Sequence, residues 1–519
     1  MATESADLFA TISPTSHPLV AEYTITLVKG ARITIEFGPT TAYGRSTAPV
    51  PAPPGGGPVS ILIAGMTAST TYHVRARIQL PDGKWLTGPD QTFTTGALPD
   101  IALPTLTATT TPGQRPNPGV ELVNIIDPRG ISVVSDLQGN VIWYYDNVAD
   151  AGWKGYAFPI KPLPSPSSRA QRGNMLAAIT NLYSAGVPQT IPYNSVLREI
   201  DLVGNPVREL YLADLNAALK AMGSDVQALC YSHDVLPLLN GHTILIVQQQ
   251  KTVQLTAPPG PGQFTILGDA LVDLDENFKP VWTWSAFDWL DVNRHPMGFT
   301  ADQGYDWTHC NGVQRAPDGN LVLSSRHQNW LMKLDYQEGS GTGAILWKLG
   351  YQGDFTLVGN ATQPTDWFFA QHFPNLLTAK GIQITSLSVF DNGNDRCYAT
   401  PGGCPATGLS SPPPFSRGAI FKIDETAMTA QLAWQYPLNF YSWWGGNVMQ
   451  LVNGDVEICA SEPVPIGQPI PAQDTPSQVV ELASGPSGPV IVWQMTVAQG
   501  GTYRSYRIGS LYPGVIWAG

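Results

Sequence analysis

The sequence is poor in charge, and basic residues are its scarcer charged kind. Charged residues make up 13% of the 519 residues, and 28 Lys and Arg stand against 40 Asp and Glu, which gives a formal net charge of −12. An acidic chain lacks the attraction that generic binding to nucleic acid or to an anionic membrane requires. The composition therefore argues against both classes of partner, while it leaves room for a local anion-binding pocket.

Long apolar runs are also missing. No run reaches the roughly 18–20 residues needed to span a bilayer, so we expect no membrane-spanning helix. The first residues, MATESADLFATISPTSHPL, contain neither the basic nor the apolar region of a signal peptide. The protein is therefore expected either to be cytoplasmic or to have had a signal peptide that this sequence does not include.

Helical sequence is nearly absent as well. The segment Leu212–Met222 is the only convincing helical run, whereas the chain contains 51 Gly, 46 Pro, 15 Trp and 19 Tyr. A composition rich in turn-forming and aromatic residues favours many short strands. The sequence therefore predicts an all-β fold.

Residues 1–97 predict a separate β-sandwich. Strand-like runs alternate there with turn clusters at a spacing of about 10–15 residues, as in sandwich domains. A strand led by Tyr72 and a closing Phe93-Thr94-Thr95 run resemble a fibronectin type III domain. Residues 98–119 are rich in Pro and Thr and are expected to form a linker or an extended edge segment.

Residues 120–519 contain a loose internal repeat. One half is a strand, a Gly-containing turn and a second strand, as in HDVLPLLNGHTILIVQQ; the other is an apolar strand, an Asp, a turn and an aromatic strand, as in IFKIDETAMTAQLAWQY. Each pair of halves supplies four strands, which is one propeller blade. Six second halves predict a six-bladed β-propeller, or seven blades if one is hidden. The strand at 503–508 could complete the first or the last blade.

A hairpin between His309 and Arg326 stands out among these repeats. A strand begins at His309, the turn Ala316-Pro317-Asp318-Gly319-Asn320 follows, and a returning apolar strand ends at Arg326. A hairpin brings its open ends together, so His309 and Arg326 are expected to be neighbours. An imidazole beside a guanidinium suits an oxyanion such as sulfate or phosphate.

Three of the eight histidines begin the first half of a repeat: His233, His309 and His372. Equivalent positions of propeller blades face the same central region, so these imidazoles are expected to converge. A tri-histidine zinc site is one option, which the charge of Arg326 opposes. Group transfer through a covalent imidazole intermediate is another. Water could also be the acceptor, as in an aryl sulfatase or phosphatase. A non-catalytic binding propeller and a metal-dependent lactonase are the remaining alternatives.

Five motifs carry a family resemblance, and their order and spacing run through most of residues 120–510. They are Asp306-Trp307-Thr308-His309, Ser324-Ser325-Arg326-His327-Gln328, Gln371-His372, Phe390-Asp391-Asn392-Gly393 and residues 416–424. Together they resemble the bacterial arylsulfate sulfotransferases that do not use the PAPS donor. The resemblance implies a six-bladed propeller behind an N-terminal β-domain, a periplasmic or secreted location and a homodimeric assembly, which is common in the family. It also implies sulfuryl transfer from a phenolic sulfate ester to an acceptor phenol by a ping-pong route.

The resemblance assigns roles to individual residues. His372 matches the nucleophile, which becomes a sulfohistidine. His309 matches a histidine that transfers a proton or stabilises the oxyanion, and His233 matches the third histidine of the site. Arg326 matches the arginine that grips the sulfuryl oxygens. Tyr503 matches a substrate-binding tyrosine, and neither a metal nor another cofactor is expected.

Three further expectations concern the surroundings of this site. Cys397 and Cys404 frame a Pro-Gly-Gly turn, which suits a small disulfide loop in an oxidising compartment; two free thiols are the alternative. His327 follows Arg326, so strand alternation predicts that it points to the opposite face and is structural. Six aromatic residues could line an aryl pocket or pack in the propeller core: Trp307, Trp367, Phe368, Phe369, Trp443 and Trp444.

Overall fold

β-Strands are the main regular structure of the described residues, and helices are few and short. The computed structural model describes residues 10–101, 103–127, 130–146, 156–157, 159–164, 172–180, 194–256, 261–296, 300–301, 304–394, 396–400, 414–470, 475–486 and 488–518. The predicted all-β fold, with a propeller after an N-terminal β unit, is confirmed.

The N-terminal unit contains nine strands. They are β1 (Ala10–Pro14), β2 (Ala21–Leu27), β3 (Arg32–Gly38), β4 (Arg45–Ser46), β5 (Val50–Pro51), β6 (Gly57–Ile63), β7 (Thr71–Gln79), β8 (Trp85–Thr87) and β9 (Gln91–Thr94). Strands β1, β2 and β6 form one sheet, and β3 pairs with β4, β5 and β7 in the other, in which β7 also pairs with β8 and β9. Side chains alternate along these strands, and Tyr23, Ile35 and Phe37 share one buried core.

The remaining elements form the propeller and its connections. The first group is β10 (Thr105–Thr110), β11 (Val120–Asp127), β12 (Ile131–Ser135), β13 (Val141–Asp146), β14 (Tyr156–Ala157), β15 (Lys161–Pro162), β16 (Met175–Thr180), β17 (Ser195–Ile200), β18 (Pro206–Tyr211), α1 (Leu212–Met222), β19 (Cys230–Pro237), β20 (Thr243–Leu255), β21 (Gly262–Leu274), β22 (Pro280–Ser285), α2 (Ala286–Trp289), β23 (Thr300–Ala301) and β24 (Gly304–Asp306). The second group is β25 (Cys310–Arg315), β26 (Leu321–Ser325), β27 (Trp330–Leu334), β28 (Ile345–Gly350), β29 (Thr356–Leu357), β30 (His372–Lys380), β31 (Gln383–Asp391), β32 (Arg417–Asp424), β33 (Thr429–Pro437), β34 (Phe440–Tyr441), β35 (Asn447–Gln450), β36 (Val456–Ala460), β37 (Val464–Pro465), β38 (Ser477–Gly485), β39 (Gly488–Ala498) and β40 (Gly501–Ile508). Short 3-10 turns lie at Gln337–Gly339, Pro364–Asp366 and Arg396–Ala399.

In the part of the chain that the structure describes, six antiparallel sheets form the blades. Their central strand orders are β40-β11-β12-β13, β14-β16-β17-β18, β19-β20-β21-β22, β25-β26-β27-β28, β30-β31-β32-β33 and β35-β36-β38-β39. The first strands of successive sheets, β19, β25, β30 and β35, lie next to one another. This arrangement places the beginnings of the repeats around a common centre, where the candidate histidines are found.

The two ends of the propeller sequence close the ring. Strand β40 pairs antiparallel with β11, so the predicted lone strand completes the first blade. Strand β10 pairs with β39 and forms the outer strand of the last blade. Residues 98–119, predicted to form a linker or an extended edge segment, therefore contain an edge strand of a blade, because their alternating Thr-Leu-Thr-Ala-Thr-Thr run offers a β-branched edge to the exposed side of β39.

The last residues of the chain belong with the N-terminal unit and not with the propeller that was predicted for 120–519. The hydroxyl of Tyr512 donates to the carbonyl of Leu62 (2.7 Å), and Trp517 packs edge-on against Phe37 with ring centroids 5.7 Å apart. A side chain at Gly65 would overlap the Trp517 ring, so this contact requires glycine. The tail thereby joins the two parts of the protein.

The helical prediction is confirmed. Helix α1 spans Leu212–Met222, buries Leu215 and Leu219, and ends at Gly223, whose φ of 78° suits a left-handed C-cap. Among the described residues, no helix is long and apolar enough to cross a membrane.

A buried ionic cluster lies where the ring closes. Arg507 of β40 meets three carboxylates, with N–O distances of 2.8 Å to Glu121, 2.8 Å to Glu481 and 3.1 Å to Glu457. Burial raises the pKa of Glu457 well above its usual range, and the Glu121 carboxylate adds to this, while Arg507 opposes it. Three carboxylates sharing one guanidinium leave an excess of buried negative charge, so a proton on Glu457 stabilises the closure.

The first prediction is that Glu457→Gln raises the melting temperature more at pH 8 than at pH 5. The folded pKa of Glu457 lies above its unfolded value, so wild-type stability falls as pH rises through the folded pKa, whereas glutamine does not titrate. At pH 8 we expect an increase of roughly 2 °C or more. Calorimetry at both pH values checks this, with the exposed Glu276→Gln as the control. A loss of stability that is equal at both pH values would contradict the prediction.

Candidate active site

The propeller brings the three candidate histidines together. His233 lies in β19, His309 immediately precedes β25 and His372 begins β30, three neighbouring strands of consecutive blades. The rings of His233 and His309 have centroids 4.4 Å apart. Tyr503 of β40 bridges them to His372, with centroid distances of 6.1 Å to His233 and 5.9 Å to His372.

The backbone is irregular where these imidazoles emerge. His233 and His309 have φ angles of 44° and 48°, a left-handed conformation that few residues other than glycine adopt. The strand register also shifts between Tyr231 and Val235, and between His372 and Asn375. Bulges of this kind redirect side chains next to functional sites.

The predicted hairpin is confirmed and joins His309 to Arg326. Strands β25 and β26 pair antiparallel, and the Arg326 N–H donates to the His309 carbonyl (3.2 Å). The carboxylate of Asp269 accepts from Thr308 Oγ1 (2.6 Å) and from the Cys310 N–H (2.6 Å), which fixes the start of the hairpin. The fold therefore presents an imidazole and a guanidinium from one rigid corner.

The predicted orientation of His327 is wrong. Strand β26 ends at Ser325, so the alternation of faces does not extend to the following turn. Arg326 Nη1 donates to His327 Nε2 (2.9 Å), and the His327 ring stacks on His309 with centroids 4.4 Å apart. His327 thus belongs to the cluster and holds the guanidinium in place.

Asp306 organises two of the imidazoles, and sequence reasoning did not single it out. Its carboxylate accepts from His309 Nδ1 (2.6 Å), and its carbonyl accepts from His327 Nδ1 (2.7 Å). The sequence feature that could have identified Asp306 is its position three residues before the candidate histidine His309. The hydrogen of His309 is therefore held on Nδ1, where it is donated to Asp306, and the lone pair of the ring lies on Nε2.

Asp306, His309 and His327 also have the composition of a metal site. Their ligand atoms all lie within 4.8 Å of one another. However, Nε2 of His327 accepts from Arg326, and Nδ1 of His309 donates to Asp306. A metal ion would have to displace a guanidinium, so hydrogen bonding accounts for this group better than metal ligation.

Burial keeps all four imidazoles neutral. It lowers the pKa of His309 and His372 well below 6.5, and the charge of Arg326 lowers each further. Burial likewise lowers the pKa of His233 and His327, with the Asp306 carboxylate opposing it in part. Near pH 7 each ring therefore carries a lone pair, which a nucleophile or a base needs, although that of His327 is already used by Arg326.

Asn392 holds the ring of His372. Its Oδ1 lies 2.7 Å from His372 Nδ1, and its Nδ2 donates to the carbonyls of Ser442 (2.8 Å) and Gly445 (3.1 Å). The Gly445 N–H points at His372 Nε2 from 3.3 Å. An acceptor at Nδ1 and a donor at Nε2 together place the proton on Nδ1 and the lone pair on Nε2.

Aromatic residues flank the nucleophile candidate. Trp444 stacks on Tyr503 with an interplanar angle of 18°, and Trp443 lies 5.9 Å from Trp444 between ring centroids. Arg326 Nη2 donates to the carbonyl of Trp443 (2.9 Å). Of the six aromatic candidates, these two lie at the site. The other four are buried in the blade cores: Trp307, Trp367, Phe368 and Phe369.

Beneath the histidines lies a charged group that sequence reasoning missed. Asp234 pairs with Lys161 (2.5 Å) and with Arg504 (3.4 Å), and Arg504 Nη2 also donates to the hydroxyl of Tyr503 (3.3 Å). Two cations against one carboxylate make this interior positive. The charge of Arg504 contributes to the lowered pKa of His372, and the same field favours an anion in the pocket.

The cysteines divide into two kinds. Cys397 is disulfide-bonded, whereas Cys230, Cys310 and Cys459 are buried free thiols. Cys404, its predicted partner, lies outside the described residues.

Comparison with known proteins identifies the family. A family model described as arylsulfotransferase (ASST) matches residues 114–507. The chain belongs to this family. The matched span includes the four clustered histidines, Arg326 and Tyr503, so the resemblance found in the motifs is confirmed, and the protein is an enzyme of an aryl sulfotransferase family. No curated protein matches the chain.

Solved structures offer only distant similarity. The chain is 11% identical to a Synechocystis apocarotenoid oxygenase variant, covering 96% of this chain and 95% of that one with a TM-score of 0.32. A europium-containing methanol dehydrogenase is 11% identical over 84% and 89% of the two chains, with a TM-score of 0.30. A Lactobacillus plantarum protein is 12% identical over 92% and 98%, with a TM-score of 0.33. Similarities this weak carry no argument about function.

Proposed function

We propose that the enzyme transfers a sulfuryl group from a phenolic sulfate ester to an acceptor phenol by a ping-pong route through a sulfohistidine at His372. One observation carries the proposal. His372 is a neutral, buried imidazole whose Nδ1 is held by Asn392, so its lone pair lies on Nε2, within the field of Arg326, and a donor sulfur has only the weak contact from the Gly445 N–H (3.3 Å) to displace there. No metal or other cofactor enters this scheme.

In the first half-reaction, Nε2 of His372 attacks the sulfur of the donor. The N–S bond forms as the bond from sulfur to the aryl oxygen breaks, and the phenolate leaves with that electron pair. Charge spreads over the non-bridging oxygens in a loose transition state, where a fixed guanidinium such as Arg326 stabilises it. Arg326 is pre-oriented for this role because His327 and the Trp443 carbonyl hold both of its terminal nitrogens.

In the second half-reaction, the oxygen of an acceptor phenol attacks the same sulfur. The N–S bond breaks, and its electron pair returns to Nε2 of His372. The phenol must lose its proton, and His309 is suited to accept it because its Nε2 carries the lone pair. The ring of His233 lies beside that of His309 and adds a third imidazole to the site.

Tyr503 and the adjacent tryptophans suit an aryl group. Burial raises the pKa of Tyr503 to about 12, so its phenol stays neutral and keeps a hydrogen that it could donate to a sulfuryl oxygen. Trp444 stacks on that ring, and a substrate ring could extend the same stack. A periplasmic or secreted location is part of the proposal, since the bonded Cys397 suits an oxidising compartment. A homodimer remains a prediction.

The second prediction tests the covalent route. With p-nitrophenyl sulfate and no acceptor, we expect one equivalent of nitrophenol in a burst and an intact mass raised by one sulfuryl group. A phenol added later should remove the adduct and restore turnover. Steady nitrophenol release without an acceptor would instead indicate a hydrolase. Absence of any release would indicate a binding propeller.

A further inference from the structure

We propose that Asn392 is a positioning residue that fixes the tautomer of His372 and keeps the sulfurylated ring protonated at Nδ1, and therefore reactive. The proposal rests on the covalent route given above. It assigns a function to a side chain that touches neither substrate nor sulfur and acts through His372 alone.

The register of one blade places Asn392 against the nucleophile. His372 pairs with Phe390 across β30 and β31, and the chain continues past the end of β31 to Asn392. Asn392 and His372 are both buried, so no bulk solvent competes for their hydrogen bond. The contact joins Asn392 Oδ1 to His372 Nδ1 over 2.7 Å.

The orientation of the amide is determined by its other contacts. Both hydrogens of Nδ2 are used, one on the Ser442 carbonyl (2.8 Å) and one on the Gly445 carbonyl (3.1 Å). A flipped amide would place its oxygen against two carbonyl oxygens and leave all three without a hydrogen. Oδ1 must therefore face His372, and an oxygen acceptor there requires the hydrogen on Nδ1.

An amide differs from a carboxylate once the N–S bond has formed. Sulfuryl transfer to Nε2 makes the ring an N-sulfoimidazolium that still carries its Nδ1 hydrogen. Asn392 accepts a hydrogen bond from this hydrogen but is too weak a base to remove it. When the acceptor attacks, the N–S electron pair therefore returns to a neutral imidazole, which is a good leaving group.

A carboxylate in the same place would act as a base. It would take the Nδ1 proton, and the resulting neutral N-sulfoimidazole could release sulfur only by expelling imidazolate, a much poorer leaving group. Before the reaction, the same carboxylate would stabilise the imidazolium form of His372. An amide at this position therefore has two advantages over a carboxylate. It does not favour protonation of His372 before the reaction, and it does not remove the Nδ1 proton that keeps the sulfurylated ring reactive.

The third prediction compares Asn392→Asp and Asn392→Ala with the wild type. In Asn392→Asp the acidic limb of the donor half-reaction should move to higher pH by about 1–2 units, because a carboxylate raises the pKa of His372. Transfer from the trapped adduct to phenol should slow by about 10²-fold, the usual size of a proton-transfer contribution. In Asn392→Ala both half-reactions should slow without the shift to higher pH.

Asn447→Asp provides the matched control. It makes the same change at a buried amide, which is bound to the Ser505 backbone and contacts none of the histidines. It can lower the melting temperature, but it should shift neither the pH limb nor the lifetime of the adduct. Two results would overturn the proposal. One is an acidic limb of Asn392→Asp at the same pH as that of the wild type, and the other is an equally large shift of that limb in Asn447→Asp.

A readout independent of turnover separates this proposal from the proposed function. Nitrogen-15 NMR of histidine-labelled enzyme, assigned by the signals lost in a His372→Gln variant, reports which ring nitrogen carries the hydrogen. We expect Nδ1–H in the wild type and a mixture in Asn392→Ala. Nε2–H in the wild type would overturn the role of Asn392. Nδ1–H without any covalent adduct would support the tautomer while rejecting the sulfohistidine.

Discussion

The fourth prediction is that His372→Ala abolishes nitrophenol release from p-nitrophenyl sulfate. The loss should be on the order of 10³–10⁶-fold, as for other enzymes that lose a covalent nucleophile. His372 Nε2 is the only atom of the enzyme that bonds to sulfur in the proposed route, and alanine offers nothing in its place. The neighbouring imidazoles are held by other partners, His309 by Asp306 and His327 by Arg326, so neither can move into the vacated position.

The measurement combines steady-state release with intact mass after incubation with the donor alone. No sulfuryl adduct should form in His372→Ala. His242→Ala is the control, since His242 pairs with Asp273 (3.0 Å) in a turn away from the cluster. Full activity in His372→Ala, or an adduct of unchanged yield, would reject His372 as the nucleophile.

The features that the sequence predicted well depend on local signals. The hairpin between His309 and Arg326 follows from one turn-forming segment, Ala316-Pro317-Asp318-Gly319-Asn320, between two strand-like runs. Helix α1 follows from the composition of the run Leu212–Met222. His233, His309 and His372 occupy the same position within their repeats. This predicted that they would be neighbours, because equivalent positions of propeller blades lie around a common centre.

The features that the sequence did not predict depend on where strands end and on contacts between distant segments. Alternation placed His327 on the wrong face because nothing in Ser325-Arg326-His327 shows that β26 stops at Ser325. Lys161 and Arg504 meet Asp234 from opposite ends of the propeller sequence. Asn392 stood within a motif, yet its contact with His372 became visible only when the register of β30 and β31 placed the two side chains together.

Two segments at the borders of the propeller were open for a related reason. A Pro- and Thr-rich composition suggests a linker or an extended edge segment, and β10 is an edge strand because β39 presents an edge that it can pair with. The final residues have no strand pattern, and Trp517 finds its place only in the core around Phe37. The conformation and position of such segments depend on their tertiary partners and not on local propensity.

The fifth prediction is that Arg326→Lys and Arg326→Met each lower kcat/KM for the aryl sulfate donor by about 10²–10³-fold, the usual cost of losing one preorganised group that stabilises transition-state charge. The guanidinium bonds to His327 through Nη1 and to the Trp443 carbonyl through Nη2. Lysine keeps the charge, but it is a point donor on a flexible stem and cannot hold both partners while facing the sulfuryl oxygens. Lysine should therefore rescue little of the loss seen with methionine.

Arg326→Met should also change the pH dependence of the rate. The charge of Arg326 helps to lower the pKa of both His309 and His372, so its removal should raise both values and move the acidic limb of the rate to higher pH. In Arg326→Lys that limb should stay close to the wild-type position, because the positive charge remains. Arg315→Lys is the matched control, since Arg315 lies at the outer end of the same hairpin and pairs with Glu338 at the surface. Activity of Arg326→Lys within twofold of the wild type would show that charge alone, without the planar fork of donors, is what the sulfuryl group requires.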